Sequence, residues 1–359
     1  MFTLDSLGFD SFFAQQISTD EARTLRVARV MSDRRDRYAL SGEISGHASV
    51  SLGLRHAIER GDSPRPTTGD WVLVEGGTSP TLARVLTRRT ELRRRRAGSE
   101  VAAQIIAANV DLFFVVTSAN RDFSPRRLER YLAAVRDSGA QAIIVLNKCD
   151  LVEDVAPYRQ TVAELAPDVG FLALSAETGT GFDALGAELT PGRTVAFIGS
   201  SGVGKSTLVN RLLEHRTLPT QAIGFEDRGR HTTTHRELMC LPQGGLLMDT
   251  PGMRELGLVV DANALDATFA DVSPLAAACR FSDCRHAREP GCALRAAVAS
   301  GALSAARLDA YLALGREVAA HTARSAPEAS HNAKRRWKAV HMQMRSIKQH
   351  SRKHAWDDD

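Results

Sequence analysis

The stretch Thr194–Asn210, TVAFIGSSGVGKSTLVN, decides the fold. Val195 to Ile198 are apolar and predict a short buried strand. Gly199-Ser200-Ser201-Gly202-Val203-Gly204-Lys205-Ser206 then spells G-x-x-x-x-G-K-S, and Leu208, Val209, Leu212 and Leu213 follow at helical spacing. Strand, glycine turn and helix start are the context this phosphate-binding motif requires. Glycines let backbone N–H groups turn inward at a helix N-terminus, where the dipole favours an anion. Lys205 is placed to reach the outer phosphates and Ser206 to ligate magnesium. The alternative is a glycine turn before an ordinary core helix, and the correct flanks on both sides argue against it.

Upstream, the apolar run Gln141–Leu146 (QAIIVL) predicts a buried strand leading into Asn147-Lys148-Cys149-Asp150. N-K-x-D after such a strand suits guanine. The Asp150 carboxylate can accept from the ring N–H and the exocyclic amine, a donor pair that adenine lacks. Lys148 can lay its stem over the base, and Asn147 can tie neighbouring loops together. A site that leaves buried polar groups unpaired against the wrong base discriminates strongly. Cys149 reads as a small filler rather than a nucleophile. Ser175-Ala176-Glu177 ends a further strand signal and resembles the short loop whose Ala176 N–H meets the guanine carbonyl.

The base-reading loops precede the phosphate loop, which reverses the usual order in GTPases. One parallel sheet can be threaded from a different start, because permutation at surface termini is tolerated. Strand signals at Asp111–Thr117, Gly170–Leu174 and Leu246–Met248 alternate with helical patterns at Pro125–Asp137, Leu151–Leu165 and Gly181–Leu189. Val101–Ala108 is also read as a helix. The alternation predicts a mostly parallel sheet covered on both faces, with ligands at the carboxyl ends of its strands.

Downstream, Asp249-Thr250-Pro251-Gly252 supplies a magnesium-side carboxylate in Asp249 and a γ-phosphate-sensing N–H in Gly252. Met253 stands where many GTPases carry a glutamine that orients water, and its thioether cannot do so. Gly224–Arg236 holds GRHTTTH, where Thr232, Thr233 and Thr234 are candidate magnesium ligands and Thr233 is chosen. His231 beside them could orient water instead, or be a solvent-exposed loop histidine.

Cys279-x4-Cys284-x-His286-x5-Cys292 offers three thiols and one imidazole, a closed ligand set for structural zinc. Cys240, in the strand-like RELMCL, reads as core. The N-terminus MFTLDSLGFDSFFAQQ is not a secretory signal, and no apolar run reaches the length of a membrane span. Clustered cysteines point to a reducing, cytoplasmic setting. The net charge of +4 says little by itself, and its distribution says more. Arg93–Arg96 form a dense basic run, read either as a phosphate contact or as a solvated linker. Ala333–Trp356 carries eight Lys or Arg, no acid, and Trp337 and Trp356, so it reads as an RNA-binding arm or a solvated tail.

Short alternating segments between Thr24 and Leu86, punctuated by glycine and proline, predict a small five-stranded barrel of the oligonucleotide-binding kind. The expected organisation is multidomain α/β. It comprises an OB-like barrel over residues 1–97, a circularly permuted P-loop GTPase domain over 98–272, a zinc-binding helical domain over 273–328 and a basic tail over 329–359.

The permuted order, GRHTTTH, DTPG, the Cys/His cluster, TTGDWV at Thr67–Val72 and AANVD at Ala107–Asp111 together resemble the RsgA (YjeQ/YloQ) family of ribosome small-subunit-dependent GTPases. The resemblance spans most of the chain. It implies GTP hydrolysis to GDP stimulated by the small ribosomal subunit during late maturation, with release afterwards. Contact with the subunit's rRNA would run through barrel and zinc domain, and the protein would act as a monomer off the membrane. It also implies phosphates held by Gly199–Thr207, guanine read by Asn147, Lys148 and Asp150, and zinc held by Cys279, Cys284, His286 and Cys292. His231 becomes a catalytic candidate. Ser200 stands where a glutamine is expected, which changes little in a loop that works through its backbone. A nucleotide-gated RNA-binding module with incidental turnover also fits. Stimulated hydrolysis separates the two.

Overall fold

The computed structural model describes residues 2–34, 37–95, 103–214, 236–242, 244–249, 260 and 262–320. His231, Thr232, Thr233, Thr234, Thr250, Gly252, Met253 and the basic tail lie outside the described residues.

Five strands close the N-terminal barrel: β1 (Arg26–Arg34), β2 (Arg37–Gly42), β3 (Gly46–Val50), β4 (Trp71–Glu75) and β5 (Thr81–Val85). The pairing runs β1–β2–β3–β5–β4 and returns to β1, with β3–β5 parallel and the rest antiparallel. This is the five-stranded Greek-key barrel expected from the turn spacing. Successive side chains of β4 point to opposite faces. Val72 and Val74 fill the barrel with Ala28, Val30, Tyr38 and Leu40, while Trp71 and Leu73 face outward into the main core. The outer face of β4 is thus covered too, which is why its sequence is continuously apolar.

The sequence reading missed the helix Leu52–Arg60 between β3 and β4. Ser51 Oγ caps it by accepting from the Leu54 N–H at 3.2 Å, and Gly61 ends it at φ 78°. Leu54 is the only fully buried side chain it carries, too sparse a stripe to register as helical periodicity.

The second half of the sheet has β8 (Leu112–Ser118), β9 (Gln141–Asn147), β10 (Gly170–Ala173), β11 (Thr194–Gly199), β12 (Glu237–Cys240) and β13 (Leu246–Asp249). Their order is β10-β9-β8-β11-β13-β12, parallel throughout except for β12. Every residue of β8 and β11 is buried. Phe113, Val115, Ala196 and Ile198 face one core, and Leu112, Phe114, Val116, Val195 and Phe197 face the other. Two covered faces explain the unbroken apolar runs.

Within the expected helix Val101–Ala108, the described residues 103–108 form a strand instead. β7 (Ala103–Ala108) pairs antiparallel with β6 (Glu91–Arg95) as a separate ribbon. A short apolar run reads equally as helix or strand, and here the available partner strand decides. The same ribbon places Arg93 and Arg94 in a strand, not in a linker.

Thr67–Val72 and Ala107–Asp111 meet where barrel and sheet join. Gly69, at φ +94°, sits so close that a Cβ would strike the Ala108 carbonyl. Asn109 Nδ2 donates to Gly69 O at 3.1 Å. Arg29, 1% exposed, donates to the carbonyls of Leu7, Gly69 and Asn109 and lies over the Trp71 ring. Burial pushes its guanidinium down to about 10, so it stays charged at neutral pH. Buried Asp70 takes two hydrogen bonds from Arg88, at 2.7 and 2.8 Å, and one from the Thr67 N–H. Beyond this knot, Ser32 of β1 pairs with Glu237 of β12, so barrel and parallel strands belong to one eleven-stranded sheet.

Helices Ala262–Thr268, Ser273–Ala277, Ala293–Ala299 and residues 305–320 make up the C-terminal region. It docks on the helix Pro125–Ser138 through Arg307, which bonds Glu129 at 2.6 Å, Asp271 at 2.7 Å and Thr268 O at 3.0 Å. Among the described residues, no helix is long and apolar enough to cross a membrane.

Candidate nucleotide and metal sites

The register of the parallel strands brings the candidate loops to one edge. Val116 of β8 lies beside Gly199 of β11, and Ser118 lies beside Asn147 of β9. Ala196 pairs with Met248, so Asp249 ends β13 at the same carboxyl edge.

The phosphate loop has the conformation its glycines predict. Gly199, Gly202 and Gly204 have φ of 153°, 83° and 98°. A Cβ on Gly199 would strike the Val116 carbonyl, and one on Gly204 would strike Asn147 Nδ2. The helix Lys205–Glu214 starts directly after the loop. Lys205, 9% exposed, curls back over the loop, donating from Nζ to Gly199 O at 2.7 Å and to Ser200 O. Val203 is buried beneath the loop, Ser200 and Ser206 are half-buried, and Ser201 and Thr207 are exposed.

Asn147 is the hub. Its buried side chain donates from Nδ2 to Val203 O at 2.9 Å, and its Oδ1 accepts from the Ala176 N–H at 2.9 Å. One amide therefore ties the phosphate loop to both base-reading segments, as the sequence suggested. Lys148, in the left-handed region at φ 61°, donates from Nζ to Gly202 O at 2.8 Å. Asp150 is exposed in the turn Cys149–Leu151. Burial and the Asp150 charge push the Cys149 thiol up, which holds it protonated, a filler rather than a nucleophile.

Ala176 departs from expectation. Its N–H was assigned to a guanine carbonyl, but it donates to Asn147 Oδ1. A buried N–H takes whatever acceptor is nearest, and Asn147 is nearest. Buried Ser175 shapes the same loop: its Oγ accepts from the Thr178 N–H at 3.1 Å, and its N–H donates to Thr180 O at 2.9 Å. The sequence reading also missed Arg211, which donates to Ala176 O at 2.8 Å and Glu177 O at 3.0 Å. Its sequence signal was slight: one cation two turns into an apolar helix.

The metal cluster forms as the spacing predicted. One ligand atom each from Cys279, Cys284, His286 and Cys292 lies within 4.8 Å of all the others. His286 Nδ1 is 3.5 Å from Cys279 Sγ and 3.6 Å from Cys292 Sγ. Those separations fit the edges of a tetrahedron around one ion with metal–sulfur bonds of about 2.3 Å. Burial alone would raise the Cys279 thiol, but the Ala293 and Leu294 N–H groups and the neighbouring thiols hold it below its ordinary range. Cys284 is pushed up to about 11 by burial and by the Cys292 and Cys279 thiols.

Comparison with known proteins agrees with this geometry. The family model for RsgA GTPase matches residues 85–259. The chain is 42% identical over 360 residues to the small ribosomal subunit biogenesis GTPase RsgA of Opitutus terrae, covering 96% of this chain and 97% of that one. It is 44% identical over 322 residues to the small ribosomal subunit biogenesis GTPase RsgA 2 of Vibrio parahaemolyticus, covering 88% and 86%. Among solved structures it resembles YjeQ from Thermotoga maritima, with TM-score 0.62 and 25% identity over 82% of this chain and 98% of that one. It also resembles YloQ, described as a circularly permuted GTPase, with TM-score 0.58 and 25% identity over 82% and 95%. With the permuted strand order, the glycine cradle and the Cys/His knuckle all in place, the chain belongs to the RsgA GTPase family.

Proposed function

We propose that this protein hydrolyses GTP to GDP while bound to the maturing small ribosomal subunit, and leaves the subunit after hydrolysis. The observation that carries the reading is the Asn147 side chain, which joins the phosphate loop to the loops that read the base. Gly199–Thr207 hold the phosphates through backbone N–H groups and Lys205. Asp150 reads the guanine edge, Lys148 covers the base, and Ser175 and Ala176 close the pocket. Ser206, Thr233 and Asp249 would hold magnesium, which would supply charge neutralisation for the phosphates. Gly252 senses the γ-phosphate. His231 orients the attacking water, the task a side chain like Met253 cannot perform.

Zinc is the metal we assign to Cys279, Cys284, His286 and Cys292. Three thiolates and an imidazole suit it, and four protein ligands leave no open position. We assign RNA contact to the barrel (residues 1–97), the zinc domain (273–328) and the tail (329–359), with turnover in residues 98–272. The protein is taken to act as a cytoplasmic monomer. The difference in affinity of the GTP and GDP states for the subunit supplies the energy for release.

The test is single-turnover GTP hydrolysis with and without purified small subunits, across a salt series. Strong stimulation that fades with salt is expected, because phosphate contacts release counterions. Subunit binding without stimulation overturns the reading in favour of a nucleotide-gated RNA-binding module. His231→Ala should keep GTP binding and lose the stimulated rate. Asp150→Asn should lose guanine preference, and unchanged preference would refute the assignment of this pocket to a guanine nucleotide.

A further inference from the structure

Arg211 lies outside every motif, yet it is the second physical link between the phosphate-loop helix and the base-reading loop. It rises two turns along the helix Lys205–Glu214 and donates from Nη1 to the carbonyls of both Ala176 and Glu177. Its guanidinium lies 5.4 Å from the centre of the Phe182 ring. Gly179, at φ +87°, leaves no room for a side chain beside it: a Cβ there would strike the guanidinium.

A peptide unit is planar and trans, so its C=O and the following N–H point in opposite directions. Pinning Ala176 O therefore aims the Glu177 N–H away from Arg211. Pinning Glu177 O likewise aims the Thr178 N–H, which donates to Ser175 Oγ at 3.1 Å. With the Ala176 N–H held by Asn147, both ends of the loop are fixed to the phosphate-binding unit, one by Asn147 and one by Arg211.

We propose that Arg211 is a positioning residue for guanine selectivity. It orients the Ala176–Glu177 peptide so that the Glu177 N–H is presented to the 6-carbonyl of the base. Adenine carries a 6-amino donor there and would meet a second donor. This rests on reading the pocket as the guanine-nucleotide site.

The test measures GDP and ADP affinity by calorimetry for the full-length protein and for Arg211→Met, Arg211→Lys and Asp150→Asn. Arg211→Met keeps an apolar stem against Phe182 but has no donor. It should lose about tenfold in GDP affinity and narrow the GDP-over-ADP ratio by a similar factor. Arg211→Lys keeps donors and should recover most of that ratio. A purely structural role would be rescued by Met as well as by Lys and would leave the ratio unchanged, and that result overturns the proposal. So does an unchanged ratio in Arg211→Lys and Arg211→Met alike. If Arg211→Met does not fold, the ratio is read from Phe182→Leu, which removes the ring that braces the guanidinium. It should then narrow, and an unchanged ratio counts against the proposal. Wild-type protein with no preference for GDP, or Asp150→Asn with preference intact, refutes the pocket assignment itself and not the role of Arg211 within it.

Discussion

At Asn147 a single side-chain amide makes two buried contacts. Removing it orphans the Val203 carbonyl and the Ala176 N–H at once, and lost buried partners cost more than the bond itself. Asn147→Ala is therefore expected to weaken GDP binding by roughly 30-fold while the fold persists, as calorimetry and circular dichroism would show. The metal cluster gives a prediction of a different kind. His286→Ala removes one of four converging ligands. The purified variant should lose its zinc by elemental analysis. Wild-type protein should release zinc on acidification, because the ligands must shed their protons to bind. The candidate residues of both sites could be picked out of the sequence, since phosphate, guanine and a metal ion each demand particular atoms at particular spacing. Arg211 was not legible. Its role depends on two carbonyls 34 and 35 residues away in sequence, and no local pattern encodes that meeting.

Among the elements, the strands were easier to read than the helices. β8, β9 and β11 are apolar because both faces are covered, and that signal survives in any sequence window. The helix Leu52–Arg60 buries little and left almost no trace. Residues 103–108 have a composition that suits either state, and only the pairing with β6 settled it. The junction between barrel and sheet rests on backbone contact at Gly69 as well as on the Arg29 and Asn109 side chains. Gly69→Ala must move the Ala108 carbonyl and hold φ +94° with a Cβ present. It should cost about 2–4 kcal/mol in urea unfolding. A loss below about 0.5 kcal/mol, the range of an ordinary surface change, would mean that the junction yields without strain.

Across the whole molecule, the C-terminal region is fastened to the helix Pro125–Ser138 through Arg307 and Glu129. Burial pushes the Glu129 carboxyl up, and Arg307 is the partner that offsets this. Arg307→Ala leaves Glu129 buried without its cation, an arrangement that costs about 3–5 kcal/mol when complete. Part of Arg307 faces the exposed Asp271, so roughly half of that is expected. Hydrogen exchange should rise in residues 305–320 and in Pro125–Ser138 but not in β8 or β11. A uniform rise across the sheet would contradict a local docking role. Fold class could be read from the chain. The docking of the last region on a particular helix could not, because it depends on charge pairs between elements far apart in sequence.

The rethreading of the sheet has a mechanical outcome. Among the described residues β13 is the last strand, and the next described helix begins at Ala262, thirteen residue steps after Asp249. In a chain threaded from the phosphate loop onward, that strand end would feed another strand. Here the chain goes on instead to the C-terminal helices, and the two Cα atoms can never lie more than roughly 45 Å apart. A flexible ten-residue insert after Asp261 would leave the nucleotide pocket untouched, yet it should blunt the subunit's ability to accelerate hydrolysis. Equal acceleration with and without the insert would show that this connection carries no message.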